Sequence, residues 1–507
     1  MRPILSLLTS IILVFSALQA GIPDENDQQF KAFEDSLKSL IQAGNYELAT
    51  KIYCSRLMED SANFDQLYNL NFGPESPEEG YKYLMKVLEL YPDFIGTEAG
   101  LIYCCFELND LKCMKKHLIA LHDKSGMGDF IEEYNRNMLA TVEPDAIIFT
   151  NGDNDTTPAL YWQYIHGFRK DVSIVNLSML NKPGYIKRFK HNDPQVPMSF
   201  SDEYIDEHLD PVDTTTIGER YLPEGKKWVS IETPEGAYEW EIPATKHYDS
   251  LGSDASEKNA LRVQDIMVMD IMRTNQGKRP IYFAITCSNV NLMGLKDYLT
   301  MDGFAFRLLP EKRGAIDPEK LRINLFEKFK YNACINFNSV THCTREPWYR
   351  GPLYPMIKGE KKLAQNYRSA FLQLAYYYYQ QDEAGIEPKP NTALEKQYAQ
   401  FNELSSKAKM YLCLKCMGKC IPDSSIPWTN ENIVIQVGRI YSDKEYFSDA
   451  VDYFKKALEM NSNLPAAHFL LGQAYISLGN EESARMEYEI LKTMDADMAE
   501  KLLDIID

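Results

Sequence analysis

The apolar and polar positions between residues 145 and 185 fall into blocks that predict a strand, a polar loop, a short helix and a second strand. The apolar runs Ala146–Thr150 and Val172–Leu177 have the composition of buried strands. Between them, Thr157 is a good N-cap and Pro158 suits the first helical position. Gly167 can end the helix in the left-handed conformation. Two buried strands joined by so short a helix predict a right-handed parallel crossover.

Polar side chains follow each of these strands. A third apolar run, Ile281–Thr286, is predicted to join the same sheet, and it also ends in polar residues. Ligands of parallel sheets usually bind beyond the carboxyl ends of the strands. The predicted ligand-binding side chains at this edge are Asn151, Asp153, Asn154, Asp155, Thr156, Trp162, Asn176, Ser178, Asn181, Thr286 and Asn289.

The acidic loop after the first strand has three interpretations, and the sequence leaves them open. Asp153 and Asp155 could hold a divalent cation through oxygen ligands. The loop could instead bind sugar hydroxyls, with Trp162 or Tyr161 as a stacking face. Alternatively, the carboxylates could satisfy loop amides and the free N–H groups of the following helix. No cofactor is expected, because the sequence lacks the usual zinc, phosphate-loop, dinucleotide and serine-nucleophile motifs.

The remainder of residues 143–320 is also of mixed character. Residues 227–231 and 238–242 alternate around a Pro-Glu-Gly turn and predict a hairpin. Asn259–Asn275 predicts a helix, Leu292–Leu299 a smaller helix and Phe304–Leu308 a strand. We therefore predict an α/β domain with a small, mostly parallel, Rossmann-like sheet.

The C-terminal residues 431–507 contain an internal repeat. Glycine, tyrosine, alanine and aromatic positions recur at an offset of 34 residues: Gly438 and Gly472, Tyr441 and Tyr475, Ala450 and Ala484, Phe454 and Tyr488. This is the tetratricopeptide period, in which small residues let two helices approach and aromatic residues fill the space between them. Two such repeats predict a concave surface that holds a protein or peptide partner, with a purely architectural array as the alternative.

Helical patterns also occupy the chain on both sides of the α/β region. Residues 26–140 predict divergent repeats of the tetratricopeptide type, and residues 321–430 predict a further divergent helical region that includes a helix pair at 362–380 and 392–417. The predicted fold class is thus α/β plus all-α, with a sheet domain between helical repeats.

Ten cysteines are few for a chain of 507 residues. Cys413, Cys416 and Cys420 share one face of a predicted helix, where we favour buried apolar side chains over a metal or redox site. We interpret Cys104, Cys105 and Cys113, on a predicted helical hairpin, in the same way.

The first 20 residues have the pattern of a secretory signal peptide, with basic Arg2, the apolar run Ile4–Leu18 and small residues before Ala20. We therefore expect an exported, periplasmic or extracellular protein with no membrane span in the mature chain; an uncleaved anchor is the alternative. A net charge of −19 and a pI of about 5.0 argue against nucleic-acid or anionic-membrane partners.

Residues 144–443 resemble a known family. The segments that carry the resemblance are FTNGDNDTTPALYWQYIHGFRKDVSIVNLSMLN, ALRVQDIMVMDIM, KRPIYFAITCSNVNLMGLKDYL, GFAFRLLP and KCMGKCIPDSSIPW. They are similar to the soluble C-terminal portion of large bacterial membrane proteins related to protein O-mannosyltransferases. In that family the glycosyltransferase chemistry is implied to reside in a membrane domain, which this sequence replaces with a signal peptide and helical repeats. The resemblance implies an exported sheet-containing module and does not imply transferase activity, so we do not expect an enzyme.

Two functions are compatible with these patterns. One is an exported binding or scaffold protein that acts through its repeats, in the cell envelope or in a glycan-related process. The alternative is a carbohydrate-active or glycan-binding protein that uses the Asp-rich loop.

Overall fold

The computed structural model describes residues 77–90, 92, 95–124, 127–209, 220–222, 224–248, 258–337, 353–388 and 393–507. The predicted signal peptide and the part of the helical region before residue 77 lie outside this range. The described chain divides into two compact units. The first contains the residues up to Ala333 and also Asn338–Leu363, and the second contains Cys334–Phe337 and Ala364–Asp507.

The first unit begins with four helices, α1 Pro77–Leu90, α2 Ile95–Glu107, α3 Leu111–Asp123 and α4 Asp129–Thr141. A short turn joins α2 to α3, where the Asp110 side chain accepts a hydrogen bond from the backbone N–H of Cys113 at 2.9 Å and so caps the second helix. This hairpin corrects one prediction. Cys105 and Cys113 are joined in a disulfide, with 5.7 Å between their Cα atoms, because the turn brings the end of one helix beside the start of the next.

A five-stranded sheet follows, in the order β2-β1-β7-β9-β8. Its strands are β1 Ile147–Thr150, β2 Ser173–Asn176, β7 Ile281–Ala284, β8 Leu299–Met301 and β9 Ala305–Leu308. Strand β1 pairs in parallel with both β2 and β7, as the sequence predicts, and every residue of these three strands is buried.

The other half of the sheet is antiparallel, so the prediction of a mostly parallel sheet is wrong and the Rossmann-like arrangement is not confirmed. Strand β9 pairs antiparallel with both β7 and β8. The physical reason is the length of the connection. Only three residues separate β8 from β9, and so short a turn can join neighbouring strands only in opposite directions.

The remaining elements of this part of the chain lie between the strands of the sheet or after them in the sequence. They are α5 Thr157–Tyr164, α6 Pro183–His191, α7 Asp202–His208, β3 Lys226–Thr233, β4 Gly236–Pro243, β5 Lys246–Tyr248, β6 Lys258–Ala260, α8 Val263–Asn275, α9 Pro318–Ile323 and α10 Asn332–Ile335. The hairpin β3–β4 is confirmed, and Gly167 has a φ of +70° as predicted.

Two helix predictions in this region are wrong in extent. Helix α8 starts later than residue 259 because residues 258–260 pair with β5 as a strand. The predicted helix at 292–299 is a single 3₁₀ turn, Leu295–Tyr298, and Leu299 already belongs to β8.

The second unit is helical. Its elements are α11 Leu353–Gln380, α12 Leu394–Ala399, α13 Ser406–Cys420, α14 Glu431–Asp443, α15 Phe447–Met460, α16 Pro465–Ser477, α17 Glu481–Met494 and α18 Ala496–Ile506. The first turns of α11, up to Leu363, belong to the first unit. The predicted helix at 392–417 is divided in two, because Ser405 caps a new helix by accepting a hydrogen bond from the N–H of Ala408.

In the first repeat, the glycine and the aromatic residue pack against each other, as the sequence predicts. A Cβ atom on Gly438 would lie 2.6 Å from Cε1 of Phe454, so only glycine allows this ring to pack there. In the second repeat the closest atom to such a Cβ on Gly472 is Cδ2 of Leu502, also at 2.6 Å, which belongs to α18.

Candidate functional site

Asp155 holds the loop that leaves β1. It lies in a 3₁₀ turn and is buried. Its carboxylate accepts hydrogen bonds from the backbone N–H groups of Asn151 at 2.7 Å and Gly152 at 2.8 Å. The hydroxyl of Thr286, at the end of β7, donates to the same carboxylate. Burial raises the pKa of Asp155, and the hydrogen bonds act in the opposite direction. This side chain therefore connects the first loop to the neighbouring strand.

Asp153 has a more open environment. Its Oδ1 accepts hydrogen bonds from the hydroxyl of Tyr103 at 2.7 Å and from Nδ2 of Asn176 at 3.3 Å. Its Oδ2 accepts none from the residues that the structure describes. Burial, reinforced by the nearby charge of Asp155, raises the pKa of Asp153 to about 7. Asp153 is thus the carboxyl group of this loop that retains a free oxygen and changes charge near neutral pH.

Amide side chains connect the three strand ends. Oδ1 of Asn151 accepts a hydrogen bond from Nδ2 of Asn291 at 2.7 Å. Oδ1 of Asn291 in turn accepts from Nη1 of Arg262 at 2.8 Å and from Nε2 of Gln264 at 3.2 Å. Gln264 then accepts from Nδ2 of Asn181 at 2.9 Å. Such a network orients every amide in it and makes this edge of the sheet rigid.

The end of β2 joins the same network. The buried Asn176 donates from Nδ2 to the hydroxyl of Tyr103 at 3.1 Å, and its Oδ1 accepts from the N–H of Ser178 at 3.0 Å. The Ser178 hydroxyl donates to the carbonyl oxygen of Asn151 at 3.2 Å. The backbone N–H of Asn176 donates to the hydroxyl of Tyr185 at 3.0 Å.

Four predicted side chains have other surroundings. Asn154 and Asn289 are exposed and take no part in these side-chain hydrogen bonds. Trp162 is half-buried, and its Nε1 donates to the carbonyl oxygen of Glu132 in α4 at 2.7 Å. Thr156 is buried, and its hydroxyl is hydrogen-bonded to that of Thr150 at 2.6 Å. The structure thus brings seven of the predicted residues together: Asn151, Asp153, Asp155, Asn176, Ser178, Asn181 and Thr286.

Sequence reasoning missed several members of this network, namely Tyr103, Tyr185, Arg262, Gln264 and Asn291. Asn291 follows β7 in the same polar stretch as Asn289, so its position could have indicated it. Tyr103 comes from α2, and no local pattern connects that helix to the strand ends.

The divalent-cation interpretation stays a prediction. Among the described residues, the side chains of His, Cys, Asp and Glu that lie close enough in threes to share a metal ion include neither Asp153 nor Asp155. Both oxygens of Asp155 are already engaged by donors of the protein itself. An ion at this loop would therefore need Asp153 together with neutral oxygens or water.

The pKa of Asp153 predicts a pH-dependent stability. Its folded value of about 7 lies above the ordinary 3.8, so the stabilisation from the neutral carboxyl is complete below pH 3.8 and is lost as the pH rises through 7. In the Asp153→Asn variant the side chain stays neutral. Between pH 5 and pH 8 we expect its free energy of unfolding to gain about 1.3 kcal/mol relative to the wild type, half of what a pKa shift from 3.8 to about 7 gives over this range, because Asp153 is partly exposed.

Hydrogen exchange in increasing urea, followed across this pH range on peptides that cover β1 and β7, measures the difference, and Asp171→Asn is the matched control. The hydrogen bond from Arg169 lowers the pKa of Asp171 to about 2, so that carboxylate stays ionised throughout and the control curve should run parallel to the wild type. A parallel curve for Asp153→Asn would contradict the prediction.

Two parts of the chain match models of known families. Residues 131–231 and 219–325 match the family model described as TMEM260-associated domain 2. This match runs from α4 to beyond α9 and includes the whole strand-end network except Tyr103. Residues 432–464 and 465–497 match tetratricopeptide repeats, which confirms the predicted repeats. A search of curated proteins finds no match.

Within the described ranges, no helix is both long and apolar enough to cross a membrane.

Proposed function

We propose that this protein is an exported binding protein whose tetratricopeptide repeats hold a protein or peptide partner in the cell envelope. The observation that carries the proposal is the pair of matched repeats at 432–497, since such repeats support a role in protein–protein interaction. Export is proposed from the N-terminal sequence pattern. A glycan-related setting is proposed from the family resemblance, which falls in part on the residues of the TMEM260-associated match.

The surface of the repeats offers a place for this partner. Arg439 on α14 is exposed, and Gln473, 34 residues later on α16, is half-exposed at the equivalent position of the second repeat. Equivalent positions of stacked repeats lie along a common surface of the array. These two side chains therefore mark the surface that we assign to the partner.

The test compares two charge reversals in the full chain. Immobilised wild-type protein, Arg439→Glu and Lys492→Glu are incubated with envelope extract of the source organism, and retained proteins are quantified by mass spectrometry. Lys492 is an exposed residue of α17, outside the assigned surface, so it provides the same charge change as a control. We expect at least one wild-type partner to fall tenfold or more with Arg439→Glu and to be unchanged with Lys492→Glu.

Two outcomes would contradict the proposal. One is equal retention of every partner by both variants. The other is full retention by a chain that lacks residues 431–507.

The strand-end network supports a second candidate, glycan binding at the Asp-rich loop. Oδ2 of Asp153 accepts no hydrogen bond within the described residues, and exposed Asn154, Ser178 and Asn289 lie in the segments around it. A ligand at a hundred times its Kd stabilises the native state by about 2.7 kcal/mol. Thermal unfolding with envelope oligosaccharides, with and without Ca²⁺, should show this shift for the wild type and a smaller one for Asp153→Asn. No shift with any of them would exclude the candidate.

A further inference from the structure

A cluster of metal-ligating side chains lies away from the strand ends, in the α2–α3 hairpin. Single ligand atoms of Cys105, Cys113 and His117 all lie within 4.8 Å of one another. Cys105 ends the last full turn of α2. Cys113 and His117 are four residues apart on α3 and therefore share one face of that helix. Cys105 and His117 are buried, and Cys113 is half-buried, so the cluster is reached from solvent on one side.

The histidine in this cluster is oriented as metal-binding histidines are. Its Nδ1 lies 2.6 Å from a carboxylate oxygen of the buried Glu98, whose other oxygen accepts a hydrogen bond from Nζ of Lys124. Glu98 forms an ion pair with Lys124, and a carboxylate only accepts hydrogen bonds, so in the neutral ring Nδ1 carries the hydrogen and Nε2 has a free lone pair.

The free lone pair has no other use in the fold. The side chain of His117 is only 1% exposed, and its Nε2 has no hydrogen-bond partner. Leaving a buried polar atom unpaired destabilises the fold. A carboxylate on one ring nitrogen, a second nitrogen without a partner and two cysteine sulfur atoms close to the ring are the features of carboxylate–histidine–zinc sites.

We propose that Cys105, Cys113 and His117 form a Cys₂His site for a thiophilic metal ion, with Zn²⁺ the best match, in the reduced form of this protein. Thiolate and imidazole ligands select zinc over Mg²⁺ or Ca²⁺. Three protein ligands leave one tetrahedral position for water. The described structure shows the oxidised form, in which the two sulfur atoms are bonded to each other. Disulfide and metal site are then alternative states of the same hairpin.

The exchange between the two states is chemically balanced. A phosphine reductant breaks the S–S bond with one water molecule, giving a phosphine oxide and two thiols. Zn²⁺ then displaces one proton from each thiol and accepts the lone pair of Nε2. An oxidising thiol–disulfide reagent reverses the reduction, forming the disulfide again and releasing the ion.

The test uses the reduced full chain, freed of phosphine under nitrogen, and Co²⁺ as a spectroscopic substitute for Zn²⁺. The background carries Cys416→Ser and Cys420→Ser, which remove the other closely spaced thiols of the described chain. We expect one equivalent of Co²⁺ to give a thiolate-to-metal charge-transfer band that Zn²⁺ abolishes. The band should disappear with Cys113→Ser and remain with Cys104→Ser, the adjacent buried cysteine. Glu98→Gln should weaken binding about 10–100-fold.

A second measurement does not require that the variants fold. In the unsubstituted reduced chain, Zn²⁺ should slow alkylation of Cys113 at least tenfold, as quantified by peptide mass spectrometry, and reoxidation should remove the bound metal. The proposal fails if the reduced protein gives no charge-transfer band, if the band survives Cys113→Ser, or if Zn²⁺ leaves the alkylation of Cys113 unchanged.

Discussion

Asp155→Ala is expected to lower the free energy of unfolding of the first unit by about 2–4 kcal/mol. The buried carboxylate accepts hydrogen bonds from two loop N–H groups and from the hydroxyl of Thr286. Alanine leaves these donors without an acceptor, and each buried unpaired donor costs about 1–3 kcal/mol. Water can recover part of this cost, because Asn151, Gly152 and Thr286 are all half-buried.

Because the chain contains two units, a single unfolding curve would mix their transitions. Hydrogen exchange in increasing urea, followed on peptides that cover β1 and β7, reports the stability of the sheet directly. Asn154→Ala is the matched control, since this exposed neighbour makes no side-chain hydrogen bond within the described chain, and we expect a change below about 0.5 kcal/mol. Equal effects of the two substitutions would show that Asp155 does not hold the loop.

Phe454→Ala is expected to destabilise the repeats by about 3–5 kcal/mol, the usual cost of deleting a buried phenylalanine ring. The ring is fully buried and packs directly on the backbone of Gly438. Tyr488 occupies the equivalent position 34 residues later but is only half-buried, so Tyr488→Ala should cost clearly less. Hydrogen exchange of peptides from α14–α15 and α16–α17 distinguishes the two.

The pairing of Gly438 with Phe454 can be tested by a double-mutant cycle. In the wild type, Gly438→Ala places a methyl group against the ring and should destabilise by about 1–3 kcal/mol. In the Phe454→Ala background the same substitution meets a cavity. It should then stabilise α14 by up to about 1 kcal/mol, because alanine is the better helix former. The same effect of Gly438→Ala in both backgrounds would disprove the contact.

The repeats and the strand-end loop have different parts in the proposed function. The matched repeats support the binding of a protein partner, whereas the polar network leaves most of its oxygen and nitrogen atoms occupied by one another. A network of this kind stabilises one loop conformation before it binds anything else. Asp153 is the exception, and for this reason the pH and glycan experiments both use that residue.

Local patterns were sufficient for the elements whose residues have a uniform environment. The strands β1, β2 and β7 are buried on both faces, so their continuous apolar runs could be recognised one at a time. The 34-residue period arises from contacts within and between helices that are adjacent in the chain, so it can be recognised from the sequence alone. The polar residues after each strand were also identifiable, because parallel strands place their carboxyl ends at one edge.

Only the tertiary structure decided which distant residues meet. Nothing local connects Tyr103 to Asn176, or Asn151 to Asn291, 140 residues away. The pairing of β9 with β7 joins strands from separate segments of the chain, and the unequal burial of Phe454 and Tyr488 depends on what packs beside each repeat. The sequence by itself determined the three buried strands, the repeat and the polar character of the strand ends. Which residues become partners, as Cys105 and Cys113 do, depends on how the folded chain brings separate elements together. A pattern of neighbouring residues does not contain this information.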